Sequence, residues 1–124
     1  MPKTVLLVDD QELIIRVVQV ALKPLRAEIP SAKSGAEAIA FIEGRGAPDA
    51  IILDYSMPDL DGVETLRRIR ELPAGASIPV LMLTMRDQTS IRDAAKDLRV
   101  FDFMTKPFSP SSLQHTVRKM LGEA

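Results

Sequence analysis

The chain has no cysteine and no tryptophan, one tyrosine, one histidine, and no charge excess beyond a formal −1 from 16 basic and 17 acidic residues. Each shortage removes a class of explanation. Without cysteine there is neither a disulfide nor a thiolate metal site, which fits a reducing compartment, so a cytoplasmic protein is expected. Balanced charge and few aromatics leave no electrostatic footprint for nucleic acid, so no nucleic-acid contact by this domain is expected. Apolar runs reach only four or five residues, far short of the ~20 that a membrane helix needs. No membrane partner and no signal peptide are expected. A length of 124 residues suits one domain, read here as residues 1–124, and a chain of this size buries roughly two thirds of its unfolded surface, enough for a core without staples.

What is present is an alternation of periodicities. Short apolar runs, Val5 to Val8, Ala50 to Leu53, Val80 to Leu83 and Val100 to Thr105, alternate with segments whose apolar residues recur at spacings of three and four. That alternation marks repeated strand and helix units. Leu13, Ile14, Val17, Val18, Ala21 and Leu22 draw one apolar stripe on a first helix, closed by Pro24. Ala27 to Lys33 reads as a second strand, and Pro30, which has no donor for a ladder, places it at a sheet edge.

Ser34 stands three residues before Glu37 and Asp61 three before Glu64, two pairs able to satisfy the free amides that open a helix. Ile39 and Ile42 then face inward on the second helix, Val63, Leu66 and Ile69 on the third, and Ile91, Ala94, Ala95 and Leu98 on the fourth. Ser109 caps the last helix with Pro110 at its first position, and Leu113, Val117, Met120 and Leu121 supply its buried face. Five strands alternating with five helices give an α/β fold, a doubly wound parallel sheet covered on both sides.

Polar residues follow the apolar runs: Asp9 and Asp10, Asp54, Thr84 and Lys106. In a parallel sheet those carboxyl ends meet at one edge, where open α/β sheets bind ligands. Three carboxylates together repel one another and take up protons unless a cation neutralises them. An oxygen-only site without His or Cys favours a hard ion such as Mg²⁺, and Lys106 and Thr84 add a positive charge and a neutral donor. Together they suit a phosphoryl group. Asp54, which ends the central strand, is the best nucleophile to form an acyl phosphate.

Taken singly these residues have plainer roles. Paired aspartates at a strand end are usually turn residues or caps, Thr84 alone is a strand-end hydroxyl, and Phe103 is core. Asp61 is best read as the cap of the third helix, and neither it nor Asp59 is given a catalytic role. His115 lies off the apolar stripe of the last helix and is expected in solvent.

The set as a whole resembles the receiver domain of bacterial two-component response regulators. The likeness rests on Val5-Leu6-Leu7-Val8-Asp9-Asp10, Asp54-Tyr55-Ser56-Met57-Pro58-Asp59-Leu60-Asp61-Gly62, Leu83-Thr84, and Asp102-Phe103-Met104-Thr105-Lys106-Pro107-Phe108, in order along the chain. The resemblance implies a flavodoxin-like sheet of order 2-1-3-4-5 and a signalling domain rather than an enzyme. It implies transfer of a phosphoryl group to Asp54 from a sensor histidine kinase or histidine phosphotransfer protein, assisted by Mg²⁺. The metal would be held by Asp10 and Asp54, by the Ser56 backbone carbonyl, and by Asp9 through water. Lys106 would pair with the phosphoryl group, and movement of Thr84 would let Phe103 turn inward. The face of the fourth helix, fifth strand and fifth helix would then contact a downstream protein target or a second copy of the chain. A cis Lys106–Pro107 bond is also implied.

Four residues depart from the family pattern. Met85 follows Thr84 where receivers usually carry a small residue, and it is expected to narrow access to Asp54. Arg99 stands where glycine often follows the fourth helix, Pro30 shortens the second strand, and Phe103 lacks the hydroxyl of the common tyrosine. Other functions fit less well. A flavin binder needs phosphate-cradling donors after the first strand, where Asp9 and Asp10 stand. A hydrolase with an aspartyl-phosphate intermediate resembles a chain with its nucleophile on the first strand. A receiver-like dimerisation or scaffold module that is never phosphorylated predicts a degraded acidic pocket, and here all five pocket residues are intact.

Overall fold

The computed structural model describes residues 2–85 and 89–123. Its strands are β1 (Val5–Val8), β2 (Ser31–Ala32), β3 (Ala50–Asp54), β4 (Val80–Thr84) and β5 (Asp102–Thr105). Its helices are α1 (Glu12–Ala21), α2 (Gly35–Arg45), α3 (Gly62–Glu71), α4 (Thr89–Ala94) and α5 (Pro110–Met120). The strands form one parallel sheet in the order β2-β1-β3-β4-β5, the doubly wound arrangement expected of the sequence. No helix among the described residues is long and apolar enough to cross a membrane.

Every residue of β1, β3 and β4 is buried, because alternate side chains point to opposite faces and helices cover both. Leu6, Val8, Ile51, Leu53, Val80 and Met82 pack with residues of α2 and α3 and with Ile91, Ala95 and Leu98. Val5, Leu7, Ile52, Leu81 and Leu83 pack against α1 and α5. Each such side chain contributes roughly 1.5–3 kcal/mol relative to exposure. The sheet is therefore a rigid platform whose carboxyl edge carries the polar residues.

The caps expected of the sequence are in place. Ser34 Oγ accepts from the Glu37 amide at 3.1 Å, Asp61 Oδ1 from the Glu64 amide at 2.8 Å, and Ser109 Oγ from the Ser112 amide at 3.1 Å. Pro110 opens α5, and Leu113, Val117, Met120 and Leu121 are buried.

Four expectations need correction. The second strand is two residues long, not the full Ala27 to Lys33. Pro30 contributes only its carbonyl, which accepts from the Leu7 amide at 2.9 Å, and Glu28 adds one bridge to Thr4. The fifth strand begins at Asp102, with Phe101 before it exposed. On the fourth helix Ala94 faces solvent, and the helix ends there, so Ala95 and Leu98 reach the core from the following turn. On α1 the buried residues are Ile15, Val18 and Ala21, with Leu22 just beyond, whereas Leu13 and Val20 are 71% and 68% exposed and Val17 is 42% exposed. The helix thus has two apolar faces. Only one meets the sheet; Val17 and Val20 line a surface groove with Pro24 and Pro110.

Arg99 adopts the left-handed conformation at φ 56°, the backbone that glycine most readily supplies. Its carbonyl accepts from Arg70 Nη2 at 3.1 Å. The same guanidinium donates from Nε to the Leu98 carbonyl and from Nη1 to the Gly75 carbonyl, both at 2.9 Å. Arg70 thereby ties the end of α3 to the segment between α4 and β5. Burial, and then the neighbouring Arg99 charge, lower its pKa.

Candidate functional site

The register of the sheet assembles the site. Pairing of Val8 with Leu53 sets Asp9 beside Asp54, and pairing of Thr84 with Thr105 brings the following Lys106 to the same edge. The Lys106 amide donates to the Thr84 carbonyl at 2.7 Å, and the Lys106–Pro107 bond is cis. Lys106 Nζ lies 3.1 Å from Asp9 Oδ2 and 3.2 Å from Asp54 Oδ1, with all three side chains under 10% exposed. One ammonium therefore bridges two buried carboxylates.

Asp10 is exposed, yet one carboxylate oxygen each from Asp9, Asp10 and Asp54 lie within 4.8 Å of one another. Asp9 Oδ1 accepts from the Gln11 amide at 2.9 Å, which fixes the acid at the strand end, and Asp54 Oδ1 accepts from the Ser56 amide at 3.4 Å. Burial raises the Asp54 pKa first and the Asp9 charge raises it further, while the Lys106 charge and hydrogen bonds from Lys106 and the Ser56 amide hold it down. A second positive charge would complete what one lysine leaves unbalanced. An all-oxygen donor set of this density suits a hard divalent ion.

Thr84 is buried at the end of β4. Phe103 is half-buried against the α2 and α3 layer, and the Arg92 guanidinium of α4 stacks over its ring at 4.5 Å from the centroid. Met85 is 68% exposed and lines a small cavity with Tyr55, Ser56 and Ile91. His115 is exposed.

The sequence thus foretold the grouping of Asp9, Asp10, Asp54 and Lys106. It did not foretell the contacts made around them. The Arg92 stack on Phe103 is one. Asp59 is another: its Oδ1 accepts from the Gly35 amide at 3.1 Å and its Oδ2 from the Ala36 amide at 3.0 Å. Those bonds, with others to backbone amides, lower its pKa. One signal was available. Two aspartates flank Leu60, and α3 needs only one cap.

Fold and site together define a doubly wound α/β domain that gathers acids at one sheet edge. The chain belongs to the response regulator receiver domain family, which it matches over residues 5–118. It is 36% identical over 121 residues to the alkaline phosphatase synthesis transcriptional regulatory protein PhoP of Bacillus subtilis, a match that covers 98% of this chain and 49% of that protein. The chain spans about half the length of the curated relatives it matches. Among solved structures it resembles a putative response regulator from Chloroflexus aurantiacus, with a TM-score of 0.90, 32% identity, and coverage of 99% and 100% of the two chains. It also resembles the receiver domain of the Pseudomonas aeruginosa sensor histidine kinase PA1611, solved with a magnesium ion in its active site cleft. That likeness has a TM-score of 0.88, 28% identity, and the same coverage.

Proposed function

We propose that residues 1–124 act as one phosphoacceptor domain in the cytoplasm, in which Asp54 receives a phosphoryl group from a sensor histidine kinase or a histidine phosphotransfer protein. One observation carries this reading: three carboxylates converge at the sheet edge, two of them buried and bridged by a single lysine. Asp10 and Asp54 would hold Mg²⁺ through their carboxylates, Ser56 through its backbone carbonyl and Asp9 through water. When bound, the ion offsets the negative charge of acids and phosphoryl oxygens. The magnesium in the active site cleft of the related PA1611 receiver supports an ion of this kind here.

In the reaction, an Asp54 carboxylate oxygen attacks phosphorus, the bond from phosphorus to the donor imidazole breaks, and its electron pair returns to nitrogen. Asp54 becomes an acyl phosphate. Lys106, held between Asp9 and Asp54 beforehand, is placed to pair with the new phosphoryl oxygens, and the Thr84 hydroxyl donates to another. The turn of Phe103 inward that follows would exchange its Arg92 stack, worth about 0.5–1 kcal/mol near a surface, for burial. That rearranges the α4-β5-α5 face, through which the domain controls a downstream protein or pairs with its own copy. A purely structural module has no need of a buried lysine between acids, so the phosphoacceptor reading is preferred.

The test is covalent incorporation of phosphate from acetyl phosphate. Mg²⁺-dependent labelling is expected in the parent chain, none in Asp54→Asn, and retention in Asp59→Asn. Labelling that survives Asp54→Asn, or none in the parent at any Mg²⁺ concentration, overturns the reading. Met85, beside Tyr55 and Ser56 at the rim, narrows the approach. Met85→Ala should label about two- to fivefold faster, under ~1 kcal/mol of barrier, and unchanged initial rates would refute that role.

A further inference from the structure

We infer that Asp59 is a positioning residue for the metal-binding loop, acting through the N-terminus of α2 rather than through the ion. The inference rests on the phosphoacceptor reading and adds a component to it. The loop from Tyr55 to Asp61 carries Ser56, the one proposed metal donor that is a backbone atom and so depends wholly on loop conformation. Where the loop leaves β3, the Tyr55 amide donates to the Leu83 carbonyl at 2.9 Å and the Ser56 amide to Asp54 Oδ1 at 3.4 Å; two further fastenings hold the rest of it. At its base the Gly62 amide donates to the Tyr55 carbonyl at 2.7 Å. At its tip the Asp59 carboxylate spans the first two amides of α2, Gly35 and Ala36.

Helix termini leave such amides without partners. In α2 the third is taken by its own cap, Ser34, which accepts from Glu37. The first two are left for a carboxylate from elsewhere, and Asp59 supplies it with both oxygens. The packing beneath agrees. Gly35 has no side chain, and a Cβ built there would meet Leu60 Cβ at 3.1 Å and collide with Thr65 Oγ1. The α2 terminus and the loop tip are therefore in direct contact as well as hydrogen-bonded. Asp59 is exposed and more than 20 residues from its partners in sequence, so it is not needed for the core. Its role is to stop the loop from moving away from Asp54 when no ion holds it.

Three variants separate this role from a simple loss of negative charge near the site. Asp59→Ala removes the charge and both acceptors. Asp59→Asn removes the same charge but keeps one acceptor. Ala36→Pro keeps the charge and removes one donor, in the first helical turn where proline is tolerated. Mg²⁺ affinity by isothermal titration calorimetry should fall about tenfold in Asp59→Ala, the low end for groups that orient metal ligands indirectly. Asp59→Asn should lose clearly less, Ala36→Pro should also weaken binding, and the ratio of the two Asp59 variants should persist in high salt, which screens surface charge. Amide exchange at Gly35 should accelerate in Asp59→Ala. Equal losses in the Ala and Asn variants, or unchanged affinity in Asp59→Ala, overturn the inference while leaving the site intact. If the parent chain takes up no Mg²⁺ at all, the phosphoacceptor reading fails first and this role falls with it.

Discussion

Replacing Lys106 with methionine should lower folding stability by roughly 3 kcal/mol at neutral pH without Mg²⁺, the low end for breaking a buried ion pair, because the cleft opens to solvent at Asp10. The methionine fills much the same volume, so the loss is electrostatic. Asp9 and Asp54 would face one another, both almost fully buried, with their shared cation gone. The chain's available relief is to protonate Asp54, whose pKa is already raised by burial and by Asp9 and is held down in part by Lys106.

The sign of the pH dependence follows. A carboxyl whose folded pKa lies above its unfolded value binds its proton more tightly when folded. Its contribution is fully present below the ordinary aspartate pKa, about 3.9, and is lost as pH rises through the raised value. In the parent, Asp54 therefore erodes stability across that window. In Lys106→Met the window extends to higher pH, because Lys106 no longer opposes the shift. Urea unfolding at a series of pH values should show the two proteins converging in acid and diverging toward neutrality. Mg²⁺ should recover part of the loss by binding only the folded form. Equal stability at pH 7 would mean that the acids are solvated and that the buried bridge does not hold in solution.

Gly62→Ala should act on stability and function together. A Cβ at this position would stand 2.8 Å from the Asp54 carbonyl oxygen and 2.8 Å from Tyr55 Cα. Both are backbone atoms that cannot rotate aside, and the Gly62 amide is committed to the Tyr55 carbonyl. The expected cost is about 2–3 kcal/mol, as for other overpacked sites. Because the displaced backbone belongs to Asp54 itself, acetyl-phosphate labelling should fall well beyond what lost stability explains. Gly44 supplies the control. It lies within α2 with open space where a Cβ would sit, so Gly44→Ala should gain about 0.5–1 kcal/mol from helix propensity and label normally. If Gly62→Ala matches Gly44→Ala in thermal melts and labelling, the close approach is not real.

The contrast between these glycines shows what the sequence conceals. Both are a single letter, and only tertiary neighbours distinguish them. The strands that position the acids were legible because β1, β3 and β4 are buried on both faces and so read as unbroken apolar runs ending in polar residues. Local caps were legible because their partners are three residues away. Apolar residues on α1 misled for a physical reason. Periodicity identifies which residues share a face, but not whether anything covers it, and Leu13 and Val17 of the expected stripe are exposed. The second strand was read too long because an extended apolar segment pairs only where its amides meet a partner, and Pro30 has none to give. Asp59 was missed because the surplus of one aspartate beside Leu60 does not say which distant amides it bonds, and those of Gly35 and Ala36 lie more than 20 residues away.

The scarcity of aromatic side chains has a practical consequence. With tryptophan absent, Tyr55 is the sole tyrosine, and it is half-buried immediately after Asp54, lining the cavity beside Ser56 and Met85. Tyrosine emission from the unlabelled protein therefore originates within one residue of the acid cluster. The molecule carries its own optical reporter, and ion uptake or acyl-phosphate decay can be followed in real time without attaching a dye.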